Sequence, residues 1–391
     1  MNVKFKNSYM SYLLLYGFYY FAMAMFSSLI SIYLMDLGLS AANVSLLISM
    51  SCLFSMAVQP VVGYLQDRYS GKAVTVCLLC VSGVFGLCFM FQREYLLLVF
   101  FYGITLSLLN GVNPYIERLA TTSPYSYRSV RIWGTIGFAS GSQLAGLVYE
   151  NLFPSSVYLF FFVSILAAAL GVSGAQEKAV DKAEDKEKTK ASNGHWKSIL
   201  SVRVFLFYLL VASMIYAVTN LNSTYLPVLL QEEGVSVSAI STVTFLQTLM
   251  ELPIIFLSPY YMDRLTNSQL LRCLFALLAI QFSVYAFLPV PLVQMFASIL
   301  TKAVVTMSFV MINLKVVSAI VRPQYQLSAL TLVSALSKNM TTIVMQNIGG
   351  NLVDLFSTGT LYAILAGISV LGLVITILKK LPDHTGDAMF S

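Results

Sequence analysis

Three ionisable residues stand deep inside long apolar runs: Glu251 in Met250-Glu251-Leu252-Pro253, Lys302 and Lys338. A charge at the centre of a hydrocarbon layer costs roughly 2.5–3.5 kcal/mol or more when it faces lipid, so each should face the protein interior or a wet cavity. One acid against two bases is a set with two readings. Either a lysine whose proton is loosened by burial carries that proton itself, or the spare positive charge awaits an anionic group on a bound molecule. A Glu251–Lys302 pair that yields to substrate or proton is the expected centre of this chemistry. Around it, Asn220, Asn222, Gln281, Asn339 and Gln346 supply hydrogen-bonding groups for a pocket.

Other chemistries lack their parts. The 2 histidines, His195 and His384, lie in polar stretches, so no metal cluster can be assembled from them. Five cysteines all fall in apolar runs; Cys77-Leu-Leu-Cys80 has redox spacing but no βαβ context, and the five read as small buried hydrophobes. No nucleotide-binding glycine loop and no nucleophile–base set is present. The chain is therefore not expected to be an enzyme, and no metal, cofactor or nucleic-acid partner is expected.

These residues must be positioned by helices in a bilayer. Hydrophobic residues make up 58% of the 391 and charged residues only 10%, against roughly 25% charged in soluble domains. A helix crosses the hydrocarbon core in about 20 apolar residues, and only helices satisfy their backbone groups in runs of this length. Twelve such runs are expected. In the first half they lie near Tyr9–Met35, Asn43–Leu65, Ala73–Phe91, Tyr95–Tyr115, Arg131–Leu152 and Ser156–Ser173. The second half holds Val204–Leu230, Val237–Tyr260, Leu270–Leu288, Pro291–Leu314, Leu327–Leu352 and Thr360–Leu378. Lys4 and Lys6 precede a first run too long for the core of a cleavable signal, so it reads as a retained span.

Basic residues give the orientation. With the N-terminus inside, all of the 23 Lys and Arg except Arg93, Lys302 and Lys338 fall on the cytoplasmic side. The opposite connections hold Asp36, Glu94, Glu150, Glu232, Glu233 and Asp354. Both termini are thus expected in the cytoplasm. Gln176–Lys197 mixes charges with no apolar period and reads as a solvated linker. The expected division is 1–175, a linker 176–200, and 201–391. The halves repeat: Asp67-Arg68 follows the second run of the first half, and Asp263-Arg264 follows the second run of the other. Internal repeats with a site at their interface are a common transporter plan.

Gly63-Tyr-Leu-Gln-Asp67-Arg68-Tyr-Ser-Gly71-Lys72 resembles the signature loop of the major facilitator superfamily. Three further stretches narrow the resemblance to the oligosaccharide and nucleoside proton symporters, the lactose-permease group. They are Leu53-Phe54-Ser55 with Gln59-Pro60 and Gly63, Asn113-Pro-Tyr-Ile-Glu117-Arg118, and Arg131-Ile-Trp133-Gly134-Thr-Ile-Gly137-Phe138. The resemblance implies an all-α membrane fold, twelve transmembrane helices in two pseudo-symmetric six-helix bundles, working by alternating access. It implies proton-coupled uptake of a sugar-like or nucleoside-like solute, with sodium as the alternative coupling ion, by a monomer in the inner (cell) membrane.

Residue by residue, the resemblance assigns sugar-hydroxyl binding to Arg131 and ring stacking to Phe138. Asn113 stands where that group has a sugar-binding glutamate. Glu251 matches the glutamate that joins sugar binding to protonation, Lys338 matches a helix-eleven lysine, and Lys302 falls at a histidine position. Asp67, Arg68, Asp263, Arg264 and Glu117 would serve the inner gate. The chain departs from the group at Val305, Ala217, Asn220 and Gln281, which take the places of three acids and an arginine. Substrate contacts are therefore expected at Asn113, Arg131, Phe138, Asn220, Asn222, Gln281 and Lys338, and ion coupling at Glu251, Lys302 and Lys338. Two rival expectations remain: uptake of a small organic anion, favoured by the excess lysine, and export of drugs or lipids. The fifth run has glycines but no proline, which weighs against export.

Overall fold

The computed structural model describes residues 8–175, 202–322 and 325–383. The expected linker, both histidines, Lys4 and Lys6 lie outside the described residues. The first six helices are α1 (Tyr9–Asp36), α2 (Ala41–Arg68), α3 (Gly71–Met90), α4 (Tyr95–Thr121), α5 (Tyr127–Asn151) and α6 (Ser156–Gly174). Then come α7 (Arg203–Glu232), α8 (Val237–Leu249 continuing as Glu251–Met262), α9 (Asn267–Phe287) and α10 (Pro291–Ile320). In α11, Gln326–Leu332 and Thr341–Leu355 flank wider π-helical turns at Val333–Met340; α12 is Thr358–Leu378. No strand is found among the described residues.

Ten of these twelve are long and apolar enough to cross a membrane. The exceptions are α5 and α11. The first carries Arg128, Arg131 and five glycines and serines between Gly134 and Ser142, and the second is interrupted by its π turns.

The repeat is visible in the helix ends. Gly38 closes α1 at φ 85° and Gly234 closes α7 at φ 83°, a left-handed conformation that only glycine adopts without penalty. Each is followed by the same reverse bond, Leu39 N–H to the Leu34 carbonyl (3.2 Å) and Val235 N–H to the Leu230 carbonyl (2.9 Å), which satisfies a carbonyl the helix end leaves orphaned. The next helix then starts on a serine, Ser40 for α2 and Ser236 for α8, each accepting a backbone N–H three residues on. Ser70 and Thr266 cap α3 and α9 in the same way. Lys72, early in α3, donates to the Ala175 carbonyl beyond α6; Arg272, early in α9, donates to the Thr376 carbonyl in α12.

Two compact units form. One gathers α1–α6 with Leu230–Leu249; the other gathers α7 as far as Leu229 and the chain from Met250 onward. In the first, α1 packs against α5 and α6, α2 against α4, α3 against α4 and α6, and the first part of α8 against α5. A Cβ at Gly137 would run into the Gly17 carbonyl, and one at Gly141 into that of Phe21. These glycines let the α1 and α5 backbones touch, as expected for small residues between membrane helices. In the second unit α9 packs on α12 and α10, and the later part of α8 on α10. The regular helical bonding of α8 is interrupted at Met250, whose backbone stays right-handed (φ −67°, ψ −12°), one turn before Pro253, whose ring removes the N–H that the Leu249 carbonyl would accept.

The five cysteines are free thiols. Cys77 and Cys273 are exposed, which corrects the reading of all five as buried. In a membrane chain the apolar surface points outward as well as inward, so an apolar run does not imply burial.

Candidate functional site

The tight α1–α5 contact sets up a polar cluster in the first unit. On α5, Arg131 donates through Nη1 to Glu117 Oε1 of α4 at 2.6 Å, and to the Tyr16 hydroxyl of α1 at 3.4 Å. The Tyr20 hydroxyl donates to the same carboxylate oxygen at 3.0 Å, and that of Tyr127 to Oε2 at 2.9 Å. One carboxylate thus has three donors, held by α1 and α5. The two charged side chains are 50% and 28% exposed, so the ion pair itself contributes at most about 1 kcal/mol to stability. Its effect is to orient: the guanidinium is fixed in direction and reachable.

Neighbouring residues complete the cluster. Asn113 lies one turn before Glu117 on α4 and hydrogen-bonds the Tyr19 side chain, whose hydroxyl also donates to the Leu109 carbonyl (2.8 Å). Phe138, half-buried, stands two turns beyond Arg131 on the same face of α5. Gly134 lies against the rings of Tyr16 and Tyr20, so those rings occupy the space a side chain would take. An aligned guanidinium, an amide and an aromatic face suit hydroxyl groups and the C–H face of a ring.

Sequence reasoning placed Glu117 with the gate; in the structure it is bonded to Arg131. It missed Tyr16, Tyr19, Tyr20 and Tyr127. The signal was available, because Tyr9, Tyr12, Tyr16, Tyr19 and Tyr20 recur at three- and four-residue spacing along α1.

In the second unit, Glu251 opens the later part of α8, and its charge acts on Lys302 of α10. Lys338 is exposed on the π turns of α11. Those turns are fixed to α7 by Ser337, whose hydroxyl donates to the Leu209 carbonyl at 2.9 Å. Asn220 Nδ2 donates to Thr342 Oγ1 at 2.5 Å, and that hydroxyl donates to the Lys338 carbonyl at 2.6 Å. Gln346 donates to Thr224 Oγ1 (2.7 Å) and to the Asn220 carbonyl (3.3 Å). Asn220 and the Lys338 backbone carbonyl therefore belong to one network. Asn222 and Gln281 are drawn instead into α7–α9–α12 packing: Asn222 Oδ1 accepts from Tyr362 at 3.2 Å, and Gln281 donates to Tyr285 at 2.7 Å. The Tyr285 and Tyr362 rings meet edge-on at 5.0 Å.

Of the expected gate residues, Asp67 is exposed and Arg68 donates to the Tyr64 hydroxyl at 2.6 Å, stacking over Tyr64 and Tyr69. Arg264 is exposed. Asp263 lies where Lys315, a residue the sequence reading passed over, reaches back from α10. Lys315 Nζ donates to the Met262 (2.5 Å) and Leu265 (2.8 Å) carbonyls, with Asp263 and Asp383 acting on its charge. It ties the end of α10 to the α8–α9 turn. Among the described residues no group of three metal-ligating side chains is present.

Helices of this number and apolarity, built as two repeated units, are those of a multi-pass membrane protein. The chain belongs to the MFS_1 like family, whose sequence model matches residues 9–364. YwbF of Bacillus subtilis strain 168, described as an uncharacterized transporter, is 23% identical over 379 residues, covering 94% of this chain and 92% of that one. Maltose permease of Geobacillus stearothermophilus is 21% identical over 389 residues, covering 95% and 94%. Among solved structures, a variant of the nucleoside transporter NupG superposes with a TM-score of 0.82 at 14% identity, covering 94% of this chain and 99% of that one. The major facilitator fold is thereby shown, and the relatives are transporters rather than enzymes.

Proposed function

We propose that the protein takes up a neutral sugar-like or nucleoside-like solute by proton symport, through alternating access of bundles 1–175 and 201–391 joined by 176–200. The observation that carries this reading is the Arg131–Glu117 pair. Its guanidinium is half-exposed for hydrogen bonding, yet its charge is already balanced by a carboxylate 2.6 Å away. An anionic solute would have to displace Glu117 at the cost of a charge-assisted bond; hydroxyl groups need not. The kinship with a maltose permease and the NupG fold support the solute class.

In this reading Arg131, Asn113 and Phe138 hold the solute, and Asn220 and Lys338 supply further polar contacts, with Asn222 and Gln281 bracing them through Tyr362 and Tyr285. Glu251, Lys302 and Lys338 form the coupling centre. Glu251 exchanges its partner Lys302 for a proton or for the solute, so that binding differs between the two states, which any ion-driven transport requires. Asp67, Arg68, Asp263 and Arg264 act at the inner gate. The cell membrane, both termini inside, and a monomer complete the proposal.

The test is solute-evoked pH change in lightly buffered vesicles from expressing cells, across neutral sugars, nucleosides and sugar acids. Alkalinisation by a neutral solute, abolished by a protonophore and by Glu251→Gln, is the expected result. A response confined to sugar acids would replace this reading with uptake of an organic anion. Glu251→Gln with active uptake intact would remove Glu251 from coupling.

A further inference from the structure

Three helix ends of the second unit carry four cations, two of which, Lys379 and Arg272, have fixed partners there. Arg203 opens α7, and one turn later the Phe207 ring lies 4.4 Å beneath Lys379 Nζ, just past the end of α12. Lys380 follows. Arg272 of α9 is anchored at the same place, with Nε and Nη2 donating to the Thr376 carbonyl at 3.1 and 3.0 Å, and Nη2 to that of Ile377 at 3.5 Å. Asp383, the nearby acid, accepts from the Asn267 backbone N–H at 2.6 Å and acts on Lys315.

Capping a helix end explains one cation, not four. Lys72 does that task in the first unit with a single bond to the Ala175 carbonyl. The guanidinium at 272 does it with two nitrogens and keeps Nη1, two further N–H donors, for another acceptor. Such a fork matches phosphate geometry in a way an ammonium does not. Beside the cations the surface turns apolar: Leu206 (46%), Leu210 (54%) and Val374 (44%) are exposed along α7 and α12. Positive heads above a strip of aliphatic side chains match a phospholipid in both its parts, and basic pockets between membrane helices are recognised settings for anionic head groups.

We propose that Arg203, Arg272, Lys379 and Lys380 seat the phosphate of an anionic phospholipid whose acyl chains lie along Leu206, Leu210 and Val374. The lipid would join the ends of α7, α9 and α12. This site is separate from the solute site and does not depend on the transport reading.

Native mass spectrometry of the full-length protein in neutral detergent, titrated with phosphatidylglycerol or phosphatidylcholine, tests it. The wild type should retain one phosphatidylglycerol in preference to phosphatidylcholine. Arg203→Gln/Lys379→Gln/Lys380→Gln, which leaves the Arg272 cap in place, should weaken that binding by about 100-fold. A control removing as many charges elsewhere, Arg93→Gln/Arg128→Gln/Arg322→Gln, should bind as the wild type does, and thermal melts must show both variants folded. Equal loss in both variants would mean that net charge alone attracts the lipid and would overturn the site. So would displacement of the lipid by inorganic phosphate at matching concentration, which would mark a site for a free anion.

Discussion

Arg131 and Glu117 are 14 residues apart in sequence and sit on different helices, yet they form the charge-assisted bond around which the first unit's polar groups gather. A bond of this kind to a reachable guanidinium contributes about 1.5–3 kcal/mol to a ligand contact when it is shared with solute. Arg131→Lys keeps the charge but replaces the planar guanidinium, whose Nη1 serves Glu117 and Tyr16 while its other nitrogens stay available, by a single ammonium. Solute uptake should then show KM raised about 10-fold or more, with protein abundance in the membrane unchanged. Glu117→Gln keeps an acceptor for Arg131 and for the tyrosines but removes the compensating charge. Uptake of sugar acids, which the proposed function excludes for the wild type, should appear in this variant. If it stays absent while neutral uptake persists, balance of the Arg131 charge is not what excludes anions.

At the scale of helices, the α1–α5 contact decides whether that cluster exists. Gly137 has the Gly17 carbonyl where a side chain would begin, and backbone cannot move aside as a side-chain tip can. Gly137→Ala should destabilise the protein by about 1–3 kcal/mol through overpacking and reduce uptake, read as a lower melting midpoint in detergent. Gly63 on α2 provides the contrast, since nothing lies within 4 Å of the point where a methyl group would stand. There Ala should be neutral or stabilise by up to about 1 kcal/mol, the helix-propensity difference. Equal losses at the two positions would show that glycine serves flexibility in both helices rather than close approach in one. Pro253 belongs to the same scale. It removes one backbone N–H from α8 and so marks where the regular bonding of that helix is interrupted, beside Glu251.

For the molecule as a whole, the orientation proposed from the distribution of Lys and Arg is open to a direct reading. In intact cells a membrane-impermeant maleimide should label Arg93→Cys, while Arg322→Cys should be labelled only after permeabilisation. The opposite pattern would invert the topology. The grouping of Leu230–Leu249 with α1–α6 is also a property of the whole. It rests on the packing of Val237–Leu249 against α5, on the Glu150 carboxylate that accepts from the Ser238 N–H at 3.0 Å, and on Asp36, which accepts from Tyr149 at 2.5 Å and from Gln231 at 3.2 Å. An acid at the start of α8 is favoured by the partial positive charge of a helix N-terminus.

Hydrophobicity belongs to each segment by itself, so the helices, the repeat and the family resemblance were all legible from the order of residues alone. The charges Glu251 and Lys302, both half-buried, were legible for the same reason, because a lone charge in an apolar run must find a partner wherever the fold puts it. Tertiary structure decided the rest. Which face of α4 meets which face of α5 depends on how closely glycine lets α1 approach, and that rotation gave Glu117 to Arg131 and brought Tyr16, Tyr20 and Tyr127 to the pair. Likewise Asn222 looked equivalent to Asn220 in sequence, but the turn of α7 about its axis set it against Tyr362 of α12, while Asn220 met Thr342 of α11; Gln281 instead found Tyr285 one turn on in its own helix. Periodicity tells which residues share a face; only packing tells what that face touches.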